Sequence, residues 1–243
     1  MDLFLKHFNL KKVSVNISGK EKIIKQVEFL ESNNKISVCG TFYKVIDKEG
    51  RVRCKGEKPL DTNEISSMFS NSIPIVFASM MVKKTVYDDI GGFREYFKDK
   101  GNYDYDWMAR IAEKYLCSNI PEYLYYRRIL TQSNSKNILN VDKLFGDKTV
   151  QFLIEQRKQS GNDAFSGGDQ KAFDIFVEKQ RNLHRKNPDL RHEIDMHMYI
   201  SNKMYKEAIK AALNAYSKKP EKIKYLKDII YILKLSLQQR KTS

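Results

Sequence analysis

Apolar residues in about the first 135 positions of the chain alternate between helical and strand-like spacing. Between residues 21 and 30 they recur three and four positions apart, which predicts an amphipathic helix. Residues 35–46 are rich in β-branched and aromatic side chains and predict a strand, and residues 51–54 predict a short return strand after a turn. The continuous apolar run at residues 73–82 predicts a buried strand. This part of the chain is therefore expected to mix strands and helices.

Shorter elements are predicted between and after these segments. Helices are expected at residues 63–69, 83–89 and 105–115, and a strand is expected at residues 123–129. Either Asp61 or Thr62 is placed to cap the first of these helices, because both side chains carry an oxygen that accepts from free backbone N–H groups.

The pattern changes near residue 141, after which almost every segment has helical spacing. The predicted helices cover residues 144–159, 171–185, 190–198, 204–216 and 221–239. We therefore expect a mixed α/β fold, with a first domain over residues 1–140 followed by an α-helical extension over residues 141–243.

The charge of the chain is strongly positive and unevenly distributed. Among 243 residues, 44 Lys and Arg stand against 30 Asp and Glu, for a formal charge of +14. More than half of that excess lies after Met198. The positive charge is compatible with four interpretations: binding to a nucleic acid, to an anionic membrane surface or to an anionic substrate, or simply a soluble basic protein.

The sequence has no apolar run of transmembrane length and an odd number of cysteines. We therefore expect a cytoplasmic protein, peripheral at the inner face of the membrane if the basic helices bind lipid.

The strongest candidate for chemistry is a pair of carboxylates, Asp104 and Asp106, at the start of the helix predicted over residues 105–115. Residues two apart on a helix do not face the same way, so one of them can face a cleft while the other caps or packs. Free backbone N–H groups at a helix N-terminus stabilise an ionised carboxylate, which is the form a general base requires. The alternative is an ordinary capping Asp beside a solvated one.

A series of short motifs accompanies this pair along residues 17–168. They are Lys25-Gln26-Val27-Glu28-Phe29-Leu30, Val38-Cys39-Gly40, Asp47-Lys48-Glu49-Gly50, Ser79-Met80-Met81-Val82-Lys83, Ile90-Gly91-Gly92-Phe93, Tyr103-Asp104-Tyr105-Asp106 with Arg110, and Tyr126-Arg127-Arg128 followed by Ser133 and Ser135. The segment from Gln156 to Asp163 extends the series. In type and order these motifs resemble the C-terminal, acceptor-side part of a family 2 glycosyltransferase with the GT-A fold.

The resemblance implies an inverting transfer of a sugar from a nucleotide-sugar donor to a hydroxyl acceptor, in surface glycan or polysaccharide synthesis. It places Asp104 as the catalytic base, with Asp106 and Arg110 supporting its helix. Trp107 would line the acceptor cleft, with a place in the core as the alternative.

The same resemblance implies binding roles for four more residues. Gly91 and Gly92 would allow close approach of the backbone to a ligand, the alternative being a plain turn. Arg127 and Arg128 would neutralise the donor diphosphate, because a guanidinium pairs well with phosphate oxygens, and the alternative is a solvated strand edge.

The sequence departs from the family pattern at the donor side. The Asp-x-Asp motif that would hold Mg²⁺ or Mn²⁺ falls on residues 13–16, which read Val-Ser-Val-Asn, so no metal ligands of that type are predicted. Tyr103 replaces the Glu of the family's Glu-Asp pair, and Ile129 replaces a His. We expect a chain that lacks the nucleotide-binding half and is inactive alone. The partners implied are a nucleotide-sugar and a glycan or lipid-linked acceptor, with an anionic membrane surface for the basic helices. The alternative is a non-catalytic remnant or interaction module with a basic tail.

Overall fold

The computed structural model describes residues 17–19, 21–47, 49–128 and 140–241. It divides into two compact units, the first extending to Phe173 and the second beginning at Asp174. Strands and helices together confirm the expected mixed α/β class. The division at residue 140, which was drawn on sequence pattern, stays a prediction.

The first unit is built on a sheet in which two long strands run parallel. The strands are β1 (Ile17–Ser18), β2 (Ile36–Ile46), β3 (Val52–Gly56), β4 (Met81–Val82) and β5 (Leu116–Arg128). Their order is β1-β5-β2-β3, and β4 pairs with β2. The central pair, β2 and β5, is parallel, whereas the other pairings are antiparallel. Parallel strands need a long crossover, and here the connection from β2 to β5 carries the helices that build the candidate site.

The helices of this unit lie between and after the strands along the chain. They are α1 (Lys22–Ser32), α2 (Thr62–Met68), α3 (Lys84–Ile90), α4 (Tyr103–Ala112) and α5 (Gly146–Ser160), while α6 (Gln170–Lys186) contains the boundary between the units. Asp61 is the cap of α2, because its carboxylate accepts from the backbone N–H groups of Asn63 and Glu64 at 2.9 and 2.8 Å. Leu30, Cys39, Ile120 and Leu124 form a buried cluster between α1 and the two central strands.

The buried strand predicted over residues 73–82 is wrong. Only Met81 and Val82 pair with β2, and Phe77–Ser79 forms a 3₁₀ turn. Backbone groups in this segment bond to side chains instead of a strand ladder. The carbonyl of Pro74 accepts from Asn119 Nδ2 at 3.2 Å, and the carbonyl of Ser79 accepts from Gln26 Nε2 at 2.8 Å. Of the apolar residues in this run, Ile75 is fully buried, most of the others are half-buried and Ala78 is exposed, so the predicted burial was only partly correct.

The last strand is longer than its sequence pattern indicates. It begins at Leu116 and not at residue 123, and residue 129 lies outside the described residues. Ser118 and Asn119 interrupt the apolar pattern, yet both are buried because their side chains donate to the carbonyls of Leu60 and Pro59. These hydrogen bonds offset part of the cost of burying the two side chains, although Asn119 Oδ1 has no hydrogen-bond partner among the described residues.

The second unit contains α7 (Asp189–Ser201), α8 (Tyr205–Lys218) and α9 (Lys224–Lys241). Its core combines Met196, Tyr199 and Ile232 with a row of alanines on α8. Small side chains let neighbouring helices approach closely, which explains the tight packing of α7 and α9 on α8. Across the described residues, every helix is too short or too polar to span a lipid bilayer.

Candidate active site

The candidate site is centred on the first turn of α4. Asn102, the residue before this helix, adopts the left-handed conformation with φ of 61°. Its side chain lies against Gly146, where an added Cβ would come within 2.5 Å of Asn102 Oδ1, so any other residue there would displace the Asn102 side chain. The first turn then carries two carboxylates, Asp104 and Asp106, close to the unpaired N–H groups of the helix N-terminus.

Asp104 has the freer of the two carboxylates. Its side chain is half-buried, and Oδ1 accepts from the backbone N–H of Tyr105 at 2.9 Å. Within the described part of the chain, no Lys or Arg forms an ion pair with Asp104. Burial raises the pKa of this carboxyl above its ordinary 3.8, and the backbone hydrogen bond opposes that shift. A carboxylate of this kind is open to a hydroxyl donor, and its raised pKa makes it a better proton acceptor than a free Asp.

Asp106 is locked in place by two arginines. It is completely buried, and it accepts from Arg94 Nη1 at 3.2 Å and from Arg110 Nε at 3.1 Å. Burial raises its pKa, and the charges of Arg94 and Arg110 oppose that effect. The structure therefore separates the two acids that the sequence groups together: Asp106 is engaged in ion pairs, and Asp104 is not.

The ion pairs continue away from Asp106 into a chain of three arginines and three carboxylates. Arg94 also donates to the buried Asp163 at 2.7 Å, and Asp163 in turn pairs with Arg157. Arg157 finally binds Glu113 through two bonds of 2.7 and 2.8 Å. Burial alone would raise the pKa of Asp163, but the bonds from Arg94 and Arg157 hold it below the ordinary value.

Four members of this network were missed by the sequence reasoning as site residues. They are Arg94, Glu113, Arg157 and Asp163. Two signals were present, since Arg94 follows the Gly-Gly-Phe motif and the last two lie in the Gln156–Asp163 segment. Periodicity could not reveal the network, because its members are up to 69 positions apart.

The Gly91-Gly92 turn is fastened to α4 by three hydrogen bonds. Trp107 Nε1 donates to the Gly91 carbonyl at 2.7 Å. Arg110 donates to the carbonyls of Ile90 at 2.9 Å and Gly92 at 2.8 Å. Gly91 has φ of 74°, a conformation that favours glycine. The two glycines, Trp107 and Arg110 thus lie together, and the turn is held rigidly beside the helix that carries Asp104.

Aromatic rings form a wall beside this turn. Phe93 contacts Tyr103 edge to face at 4.9 Å and Trp107 at 5.5 Å. Trp107 is only 5% exposed, which favours the core alternative for this residue, whereas Tyr103 is 40% exposed. Tyr103 also lies within the electrostatic influence of Asp104: burial, and next the charge of Asp104, raise the pKa of its hydroxyl. The exposed aromatic surface next to Asp104 is therefore that of Tyr103.

Arg127 and Arg128 lie at the end of β5, beside Val45 and Ile46 of β2. Arg128 Nη1 donates to the backbone carbonyl of Asp47 at 2.7 Å, which gives this side chain a structural bond. Arg127 is exposed. Both arginines belong to the sheet, and their predicted role toward a diphosphate stays a prediction.

The residues expected at the metal position, 13–16, lie outside the described residues. Over the described ranges, no group of three or more His, Cys, Asp or Glu side chains is arranged to hold a metal ion. Since residues 13–16 carry no carboxylate, the donor set that the resemblance implies for Mg²⁺ or Mn²⁺ does not fit this sequence.

Comparison with protein-family models and with curated proteins finds no match to this chain.

Proposed function

We propose that the first unit is the acceptor side of a glycosyltransferase of the family 2, GT-A type, and that Asp104 is its general base. The observation that carries the proposal is the contrast between two acids on one helical turn. Asp106 is fully buried and bound by two arginines, whereas Asp104 is half-buried and unpaired by any cation among the described residues. This arrangement holds the helix rigid and leaves one carboxylate available for proton transfer.

In the proposed reaction, Asp104 accepts the proton of an acceptor hydroxyl as the hydroxyl oxygen attacks the anomeric carbon of the donor sugar. The new glycosidic bond forms as the bond between that carbon and the diphosphate oxygen breaks, and the nucleoside diphosphate leaves with the electron pair. Attack opposite to the leaving group inverts the anomeric centre. The Asp106 ion pairs and the Trp107 and Arg110 bonds to the glycine turn keep the base in place.

A saccharide is the acceptor class that the surroundings of Asp104 favour. The exposed Tyr103 ring, supported edge-on by Phe93, offers an apolar face next to a carboxylate. Such a pairing suits a sugar ring, whose C–H face packs on an aromatic ring while its hydroxyls reach an acceptor. A glycan built for the cell surface or a polysaccharide is the proposed context.

The donor side of the proposal involves fewer of this chain's residues. The exposed Arg127 is the proposed contact to the donor diphosphate, as the more accessible of the two arginines. No step is assigned to a divalent cation, because the residues at its expected position do not suit one.

The proposal is tested by acceptor binding and transfer. The full chain is screened with UDP- and GDP-sugars and a panel of oligosaccharides, with transfer detected by mass spectrometry and binding by a glycan array. We expect saccharide binding that is weakened at least tenfold by Tyr103→Ala. The control is Tyr231→Ala, which removes a similarly exposed tyrosine from α9 and should leave binding unchanged. Absence of both saccharide binding and transfer would refute the proposal.

A second candidate is a non-catalytic saccharide-binding remnant of such an enzyme. It is favoured by one observation, the lack of carboxylates at residues 13–16. It predicts the same binding on the array, lost with Tyr103→Ala, without sugar transfer from any donor.

A further inference from the structure

The second unit presents an apolar stripe on the outer side of its last helix. Five residues, spaced alternately by three and four positions, form it: Ile223, Leu226, Ile230, Leu233 and Leu237. Each is between 39% and 63% exposed. On a helix this spacing places side chains on one line, and the four that lie on α9 extend along about 17 Å. Scattered apolar residues on a surface are ordinary, but an aligned set of this length marks a contact surface.

The stripe is distinct from the face of α9 that holds the unit together. Another face of α9 buries Tyr225 and Ile232 completely. Tyr225 donates to Asp189 and Glu193 of α7, and Glu193 also accepts from Lys224. The core of the unit is therefore complete without the stripe, which is free to contact something else.

Lysines accompany the stripe along one side. Lys227 follows Leu226, and Lys234 follows Leu233, so the two are seven positions apart and share a face. Both are exposed, and neither forms an ion pair with any residue the structure describes. Asp228 is the only acid in the sequence of α9, and it lies two positions from Ile230, on the far side of the helix from the stripe.

This charge pattern decides which partner the stripe fits. Two copies of the chain pairing through it would bring four unneutralised lysines together, with no carboxylate on the stripe to compensate them. An anionic surface instead neutralises the lysines and covers the leucines at the same time. An apolar stripe flanked by lysines is typical of a helix that lies in a membrane interface. The long aliphatic part of each lysine lets its charge reach the lipid headgroups.

We propose that α9 binds the surface of an anionic lipid bilayer, with the stripe from Ile223 to Leu237 inserted at the headgroup boundary and with Lys227 and Lys234 on lipid phosphates. The proposal is independent of the transferase activity of the first unit. Lipid binding also accounts for part of the positive charge after Met198, since anionic lipid attracts nearby lysines.

Vesicle flotation of the full chain tests this directly. The probes are vesicles of phosphatidylcholine with or without 30% phosphatidylglycerol, at low and at physiological salt. We expect binding to the anionic vesicles only, weakened by salt. Lys227→Gln/Lys234→Gln should weaken binding about 25-fold, as expected for about fivefold per lysine near the surface. Ile230→Gln/Leu233→Gln should weaken it at least tenfold.

Matched controls separate the stripe from general exposure and charge. Leu213→Gln removes a leucine of similar exposure on α8, and Lys210→Gln removes an exposed lysine there, so both should bind as the parent does. Circular dichroism verifies that all variants are folded. Failure of the parent chain to float with anionic vesicles, or unchanged flotation of the stripe variant, would overturn the proposal. A dimer in light scattering that Ile230→Gln/Leu233→Gln dissociates would overturn it in favour of self-association.

Discussion

Arg94 holds the ion-pair network of the first unit together, and its removal should be unusually costly. Its guanidinium bridges two fully buried carboxylates, Asp106 at 3.2 Å and Asp163 at 2.7 Å, and it lies 5.2 Å from the centre of the Phe165 ring. In Arg94→Met the apolar stem is largely retained, but each carboxylate loses one of its two arginines. Breaking a buried ion pair by removing one partner costs about 3–5 kcal/mol, because the remaining charge has no water to solvate it.

The matched control is Arg51→Met. Arg51 also binds a carboxylate, that of Asp47 at 2.9 Å, but its side chain is 68% exposed. An exposed pair of this kind contributes about 0–1 kcal/mol. The two variants thus make the same chemical change in a buried and in a solvated environment.

Urea unfolding followed by the fluorescence of Trp107, the single tryptophan of the chain, measures both variants in the first unit. With an m-value of about 2 kcal/mol/M, Arg94→Met should lower the midpoint by about 1.5–2.5 M, and Arg51→Met by less than about 0.5 M. Equal, small shifts for the two variants would show that the network is not a stabilising element, and the account of a rigidly held α4 would be wrong.

Three further substitutions test other contacts of the first unit by urea unfolding. Unfolding is followed by Trp107 fluorescence or, where Trp107 itself is replaced, by circular dichroism. Trp107→Phe, followed by circular dichroism, should cost about 1–3 kcal/mol, because the Gly91 carbonyl loses its donor; no loss would mean that this bond does not hold the turn. Gly40→Ala should cost about 1–3 kcal/mol by overpacking, since the new Cβ would come within 2.3 Å of Asn119 Oδ1, and an unchanged midpoint would contradict that close contact. Asp104→Asn should raise stability at neutral pH. Burial raises the folded-state pKa of Asp104 above 3.8, so the parent loses stability relative to the variant as the pH rises from 3.8 through that folded-state pKa. Below pH 3.8 the stabilities of the two proteins should converge. A variant that is less stable than the parent at pH 7 would show that the carboxylate is not destabilised by burial.

Local sequence signals predicted most of the helices but not how the chain satisfies its buried polar groups. The helix over residues 63–69 was found because Asp61 is a strong local cap. The strand over residues 73–82 was wrong because an apolar run does not distinguish a strand from a partly buried loop packed on the sheet. The early part of β5 was missed because Ser118 and Asn119 look like loop residues until their partners at Leu60 and Pro59 are known.

The residues of the candidate site likewise fall into those that the local sequence predicts and those that only the structure reveals. Asp104, Asp106 and Arg110 lie within one helix, and the four-residue spacing of Asp106 and Arg110 alone predicts their contact. Arg94 and Asp163 reach Asp106 through tertiary contacts that no local pattern encodes. The resemblance to the motifs of a known family drew attention to the segment containing Asp163, but only the structure shows what its side chain does.

The central claim, that Asp104 is the base for sugar transfer, is tested most directly by the rate of transfer in Asp104→Asn. The control is Asp88→Asn, which alters an exposed carboxylate paired with Lys84 on α3. With the donor and acceptor found in the screen, and with a donor-side half that carries the Asp-x-Asp motif supplied to the chain, Asp104→Asn should lower kcat by about 10²–10⁴-fold, as expected for loss of a general base, with saccharide binding retained. Asp88→Asn should transfer sugar at the parent rate. Transfer by Asp104→Asn at the parent rate would contradict the account.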